Sequence, residues 1–182
     1  MTICPIGTVE DEILGPISRC IEEQCGFTCK FSQRMESLEY AYDKGRAQYN
    51  ATLILRRLLH QLPPNSIKFM GVTQVDLFVP ILKYVFGVAQ MRGPCAVIST
   101  HRLSPEFYEE APNQGLLLER VRKTALHELG HCFGLVHCRD HHCVMYSSTK
   151  IQDTDEKKMD FCHSCRDLFN WYLGQARENC QG

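Results

Sequence analysis

The sequence lacks an excess of charge of either sign. Lys plus Arg total 20, Asp plus Glu total 21, and the net charge is −1. No basic surplus points to nucleic acid or to an anionic membrane. Long apolar runs are also missing. The longest apolar region, Phe69 to Met91, is broken by Asp76, Pro80 and Lys83, which excludes a plain membrane-crossing helix. The start, Met1 to Gly7, has no basic segment followed by an apolar stretch, so no secretory signal is visible. Repeats and low-complexity tracts are absent, and tryptophan occurs once. Cysteine is plentiful instead: 11 in 182 residues, with 8 histidines. An odd number cannot all pair as disulfides. In a chain without an export signal the expectation is a reducing cytoplasm, where clustered Cys and His mean metal or catalysis.

The length suits one compact domain split into unequal parts. The first hundred residues alternate strand and helix patterns. Thr2 to Ile6, Phe27 to Met35, Ile67 to Thr73, Val85 to Met91 and Cys95 to Thr100 read as strands. Thr8 to Glu23 and Gly45 to Gln61 read as helices, with Pro16 requiring a late start or a kink in the first. This order predicts an α/β (α+β) fold. A twisted, mostly parallel sheet of four or five strands carries two packed helices and an antiparallel edge strand. His101 to Gln114 reads as loop, and Gly115 to Phe133 as a long helix ended by Gly134. The expected division is 1–134 for the sheet and long helix, and 135–182 for a smaller part ending in a helix.

The segment that carries chemistry is His127-Glu128-Leu129-Gly130-His131-Cys132-Phe133-Gly134-Leu135-Val136-His137. On a helix, His127 and His131 stand one turn apart on one face, so both imidazoles can reach one ion at about 2.1 Å. Glu128 is angled away from that ion but can reach a water on it, take its proton and pass it to a leaving amine. Gly134 allows a sharp backbone turn that brings His137 back as third ligand. Three neutral nitrogens leave the zinc's charge intact and one position open. Such an ion lowers the pKa of bound water to about 7 and polarises a carbonyl. Five fixed positions arise by chance on the order of 10⁻⁶ per starting residue, given ordinary residue usage.

A second cluster is Cys138-x4-Cys143 with Cys162-x2-Cys165. Four thiolates form a closed tetrahedral zinc site of structural type. Such a site would staple a segment with little apolar core of its own. Unmetallated thiols or a redox CxxC are the alternatives.

The run HExxHxxGxxH, followed at once by Cys138, Cys143, Met145 and Cys162-x2-Cys165, resembles the archaemetzincin family of metzincin zinc peptidases. Gly71 to Phe78 and Val85 to Ala89 are similar to that family's strand segments. The resemblance implies catalytic zinc on His127, His131 and His137, with Glu128 as general base. It implies Met145 as an apolar floor beneath the zinc, and a second zinc on Cys138, Cys143, Cys162 and Cys165. It also implies that Cys95 to Thr100 is the antiparallel edge strand on which an extended peptide aligns. Tyr146 stands one residue before the position some relatives of the clan use for an extra ligand, and is not read as one.

The remaining candidates carry blander readings. Cys132 faces the apolar side of its helix. His101, His141, His142 and His163 read as solvated surface or loop residues. Cys4, Cys20, Cys25, Cys29, Cys95 and Cys180 read as small apolar packing residues. Asp155-Glu156-Lys157-Lys158 reads as a solvated helix start. The expected activity is zinc-dependent hydrolysis of short peptides. Its competitors are a zinc-bearing peptide-binding scaffold with little turnover and a cytosolic metal-storage or redox-sensing protein.

Overall fold

The computed structural model describes residues 1–178. Cys180 lies outside that range. The apolar runs form one five-stranded sheet: β1 (Thr2–Pro5), β2 (Lys30–Phe31), β5 (Phe69–Thr73), β7 (Gly87–Ala89) and β8 (Cys95–Ser99). Its order is β2-β1-β5-β8-β7. All neighbours pair in parallel except β7, which runs antiparallel to β8 at the edge. This corrects the expectation for Cys95 to Thr100. β8 lies inside the sheet, buried along its whole length, with β5 on one side and β7 on the other. The half-buried Gly87–Ala89 segment takes the edge.

Successive side chains of the inner strands alternate between two apolar layers, as the pleat requires. Ile3, Met70, Val72, Ala96 and Ile98 join one layer; Cys4, Phe69, Cys95 and Val97 join the other. Helices α1 (Asp11–Cys25) and α3 (Gln114–Cys132) cover the first, and α2 (Ala51–His60) covers the second. Three helices therefore pack on the sheet rather than two. Gly71 marks the close approach of α2. A Cβ there would stand 2.7 Å from Ile6 Cδ1 and 2.9 Å from Leu58 Cδ1.

Helix α1 starts at Asp11, later than the expected Thr8, and continues through Pro16 to Cys25. The residue before a proline is normally pushed out of the helical region by clash with its own Cβ. That residue is Gly15, which has none. Gly26, at φ 63°, ends the helix as expected. The helix expected over Gly45 to Gln61 begins only at Ala51. Asn50 caps it, accepting from the Thr52 and Leu53 amides at 3.0 and 3.4 Å. The residues before it pair in a small second sheet of β3 (Tyr42–Asp43), β4 (Gln48–Asn50) and β6 (Leu77–Phe78). Of Phe27 to Met35, only Lys30–Phe31 forms a strand, with one further bridge between Ile6 and Met35.

After α3 the chain forms α4 (Ile151–Glu156) and α5 (His163–Glu178). The Asp153 carboxylate accepts from the Thr149 and Lys150 amides at the start of α4. Phe169 of α5 is fully buried against Phe133 and Phe161, with ring centroids 5.2 and 4.6 Å away. Arg177 donates to the Cys25 carbonyl at 2.6 Å, tying α5 to the end of α1. No helix among the described residues is long and apolar enough to cross a membrane.

Candidate metal and catalytic centre

Helix α3 is held rigidly before it delivers its functional residues. Arg120, 2% exposed, donates to both Asp155 oxygens at 2.7 and 2.8 Å. Lys123, 3% exposed, pairs with Glu119 at 2.6 Å and donates to the Asp155 carbonyl at 3.0 Å. The helix is thereby fixed to α4, whose Thr154 is among the residues lining the cleft described below. The last turns then present His127, Glu128 and His131. Gly134 turns the chain at φ 101°, and the Leu135 amide donates back to the Gly130 carbonyl at 3.0 Å. That turn returns His137 to its two partners.

The ligand atoms of His127, His131 and His137 all lie within 4.8 Å of one another. His127 Nδ1 donates to the Val144 carbonyl at 2.8 Å, and His131 Nδ1 to the Leu135 carbonyl at 2.7 Å. A carbonyl only accepts, so both protons sit on Nδ1 and both Nε2 lone pairs stay free. Those two Nε2 atoms are 3.1 Å apart. Two lone pairs so close repel unless a cation lies between them, so the donor set suits a metal ion. Burial lowers the pKa of all three histidines, and the Lys157 charge adds to this in each. Neutral imidazole is the form a metal needs.

Glu128 is 6% exposed, and burial pushes its carboxyl up to about 8 against the opposing charge of Lys157. Met145 is fully buried beneath the helix. A Cβ on Gly130 would fall onto its sulfur. Thus Gly130, at a variable position of the motif, is what lets Met145 approach the helix.

The sulfur atoms of Cys138, Cys143, Cys162 and Cys165 form a second convergent group, again within 4.8 Å of one another. The Cys162 amide donates to Cys143 Sγ at 3.2 Å and the Asp140 amide to Cys138 Sγ at 3.4 Å. The Cys165 amide, then the neighbouring thiols, lower the Cys162 pKa. Burial instead raises Cys143 and Cys165, so within the group the amides favour the thiolate, the form that binds zinc, most clearly at Cys162. His141 and His142 are exposed, their rings tilted against each other with centroids 4.2 Å apart, and His163 is exposed. None of the three belongs to this group. His101 packs edge-on against Phe107 at 5.1 Å. Cys132 is buried, its thiol directed to the Cys95 carbonyl. Cys4, Cys20, Cys25 and Cys95 are buried, while Cys29 is only partly so.

A cleft of about 590 Å³ opens over the histidines and Glu128. Val79, Leu82, Tyr84, Phe86 and β7 are among its lining. Ser147, Ser148, Thr149 and Lys157 also line it. Tyr146 is not among the lining residues described. Tyr84 spans the cleft, its hydroxyl donating to the Thr149 carbonyl at 2.8 Å. Arg102 steadies it from behind. The guanidinium stacks on Tyr84 at 4.3 Å and binds Asp76 through two nitrogens at 2.6 and 2.7 Å.

Two features escape the linear pattern. The 79–86 wall has no motif. Lys157, expected in a solvated run, is 4% exposed, and its ammonium donates to the Val144 carbonyl at 3.3 Å. Burial lowers its pKa to about 8, with Glu128 pulling the other way. No spacing in the Asp155 to Lys158 run distinguishes it from its exposed neighbour Lys158.

Residues 12–170 match the model of Peptidase family M54. Archaemetzincin from Methanocaldococcus jannaschii is 41% identical over 91% of this chain and 90% of its own. That from Pyrococcus furiosus is also 41% identical, over 96% and 94%. The crystal structure of Methanopyrus kandleri archaemetzincin superposes with a TM-score of 0.82 at 34% identity, covering 96% of both chains. A zinc-dependent peptidase from Methanocorpusculum labreanum gives a TM-score of 0.83 at 29% identity, over 93% of this chain and all of its own. The chain therefore belongs to Peptidase family M54, the archaemetzincins, and is a zinc metallopeptidase.

Proposed function

We propose that His127, His131 and His137 hold the catalytic zinc, that Glu128 is the general base, and that Cys138, Cys143, Cys162 and Cys165 hold a second, structural zinc. The observation that carries this reading is the meeting of three buried or cleft-facing imidazoles and one buried carboxylate in a single open cleft. Bound there, zinc supplies Lewis acidity to a water and to the scissile carbonyl. The chain's own groups do the rest. Val144 and Leu135 hold two imidazoles in the tautomer that leaves Nε2 free. Glu128 takes a proton from water and gives it to the departing amine nitrogen. Met145 closes the floor.

An extended peptide aligns along the free edge of β7, since β8 has both edges occupied. The cleft volume suits short segments. This reading keeps the enzyme in a reducing cytoplasm, where the cysteine thiolates remain available to metal. The open cleft favours turnover over a pure binding role.

Metal analysis with a peptide-library assay tests the proposal. The expected result is two zinc ions per chain, one for each cluster. Glu128→Gln retains both and lowers kcat about 10²-fold or more. Unchanged hydrolysis in Glu128→Gln would overturn the assignment of the base.

A further inference from the structure

Three cations are buried on or next to the elements that carry the centre: Arg120, Lys123 and Lys157. Arg120 has Asp155, and Lys123 has Glu119. Lys157 has only a backbone carbonyl. Among the described residues no carboxylate lies within 4.0 Å of its ammonium. Burying an ammonium without an anion is costly. One carbonyl takes one of its three protons. The side chain is among those lining the cleft, and its ammonium shares the Val144 carbonyl with His127 Nδ1, which sets it beside the centre. Glu128 is the only carboxylate among the cleft's lining residues, and its stem packs towards Gly87 of β7. Lys83, at the rim, adds a second positive charge. Val79, Leu82 and Phe86 supply apolar lining to the same cleft.

We infer that Lys157 is an anion-recognising residue of this cleft, and that favoured substrates carry a carboxylate close to the scissile bond. The carboxylate is supplied by the peptide's C-terminus or by an acidic side chain. An apolar neighbour meets the Val79, Leu82 and Phe86 wall, while the carboxylate accepts from the ammonium at the base. The inference rests on reading the cleft as the peptide site.

Calorimetry on the zinc-loaded Glu128→Gln protein, whose turnover is slowed about 10²-fold or more, tests it with matched short peptides. One pair differs as C-terminal acid against C-terminal amide. A second pair, amidated throughout, differs as Glu against Gln. The expected result is about tenfold tighter binding of the acid in one pair, the scale of a charge-assisted hydrogen bond. The pair that responds names the source of the carboxylate. Adding Lys157→Met should bring that ratio close to one, and Lys157→Gln serves if the methionine variant does not fold. A ratio of one in both pairs, before any change at Lys157, overturns the inference. So does a ratio that survives loss of the lysine, because the metal would then be holding the carboxylate. Failure of the peptidase reading is separable. It would appear as no turnover by the unmodified enzyme on peptides that still show the acid-to-amide ratio.

Discussion

Gly87 and Glu128 touch across the rim of the sheet. A Cβ added to Gly87 would come within 2.8 Å of Glu128 Cγ, and within 3.0 Å of both Ile98 Cγ2 and the Val97 carbonyl oxygen. The absence of a side chain on the edge strand is therefore what gives the buried carboxylate its place.

Gly87→Ala should displace Glu128 while leaving the histidines alone. Steady-state kinetics should show kcat reduced on the order of tenfold to hundredfold, the scale of misplacing a reacting group by about an ångström. Zinc content should not change. A KM effect with kcat intact would contradict this contact.

Gly130→Ala places a methyl group on Met145. The buried sulfur must move or the helix must shift. Overpacking of this kind costs about 1–3 kcal/mol. Thermal denaturation should show a lower Tm, and chelator challenge should show faster loss of metal from the histidine site than in the unmodified protein.

Cys162→Ser removes one thiol from the four-sulfur group, whose Cys138 and Cys162 sulfurs are 3.7 Å apart. Zinc content should fall by about one equivalent, and the Tm should fall as the segment beyond Gly134 loses its staple. Because Cys138 directly follows His137, hydrolysis should weaken as well. Full retention of zinc would refute the ligand set.

Asp76 is set by opposing forces. Burial raises its pKa, but hydrogen bonds from Arg102 and Gln48, with the Arg102 charge, outweigh burial and leave it below the ordinary value of 3.8. A carboxyl depressed in the folded state stabilises above its unfolded pKa and loses that contribution as pH falls through the folded value. Asp76→Asn should therefore cost about 1–3 kcal/mol near neutrality. In urea titrations, the gap between the two proteins should narrow below about pH 4. A gap independent of pH would show that the charge is not what matters.

The parts readable from the linear chain are those whose geometry is local. His127, Glu128 and His131 share a helix, and Gly134 brings His137 back within three residues, so spacing alone predicts their convergence. The cysteine pairs behave similarly. Sheet order is different. Val85 to Met91 and Cys95 to Thr100 are both short apolar runs, and nothing within either says which has neighbours on both sides. That depends on β5 pairing with β8, a contact made far along the chain. Lys157 illustrates the same limit for charge. It sits among Asp155, Glu156 and Lys158, yet α3 and Val144 bury it. The Tyr84 wall likewise depends on Asp76, Arg102 and Thr149, three positions with no common motif.

The position of β1 has a consequence for the time course of assembly. It lies inside the sheet, and Thr2 is in register with both Lys30 and Phe69. Its parallel partners are remote in sequence, and such contacts must close long loops before they return any stabilisation. Helix α3 packs on the layer these strands create, so its histidines acquire their fixed orientation only after that layer exists. Variants that slow loop closure in the amino-terminal half, far from the histidines, should therefore also slow zinc uptake during refolding, which stopped-flow mixing with a zinc indicator would read.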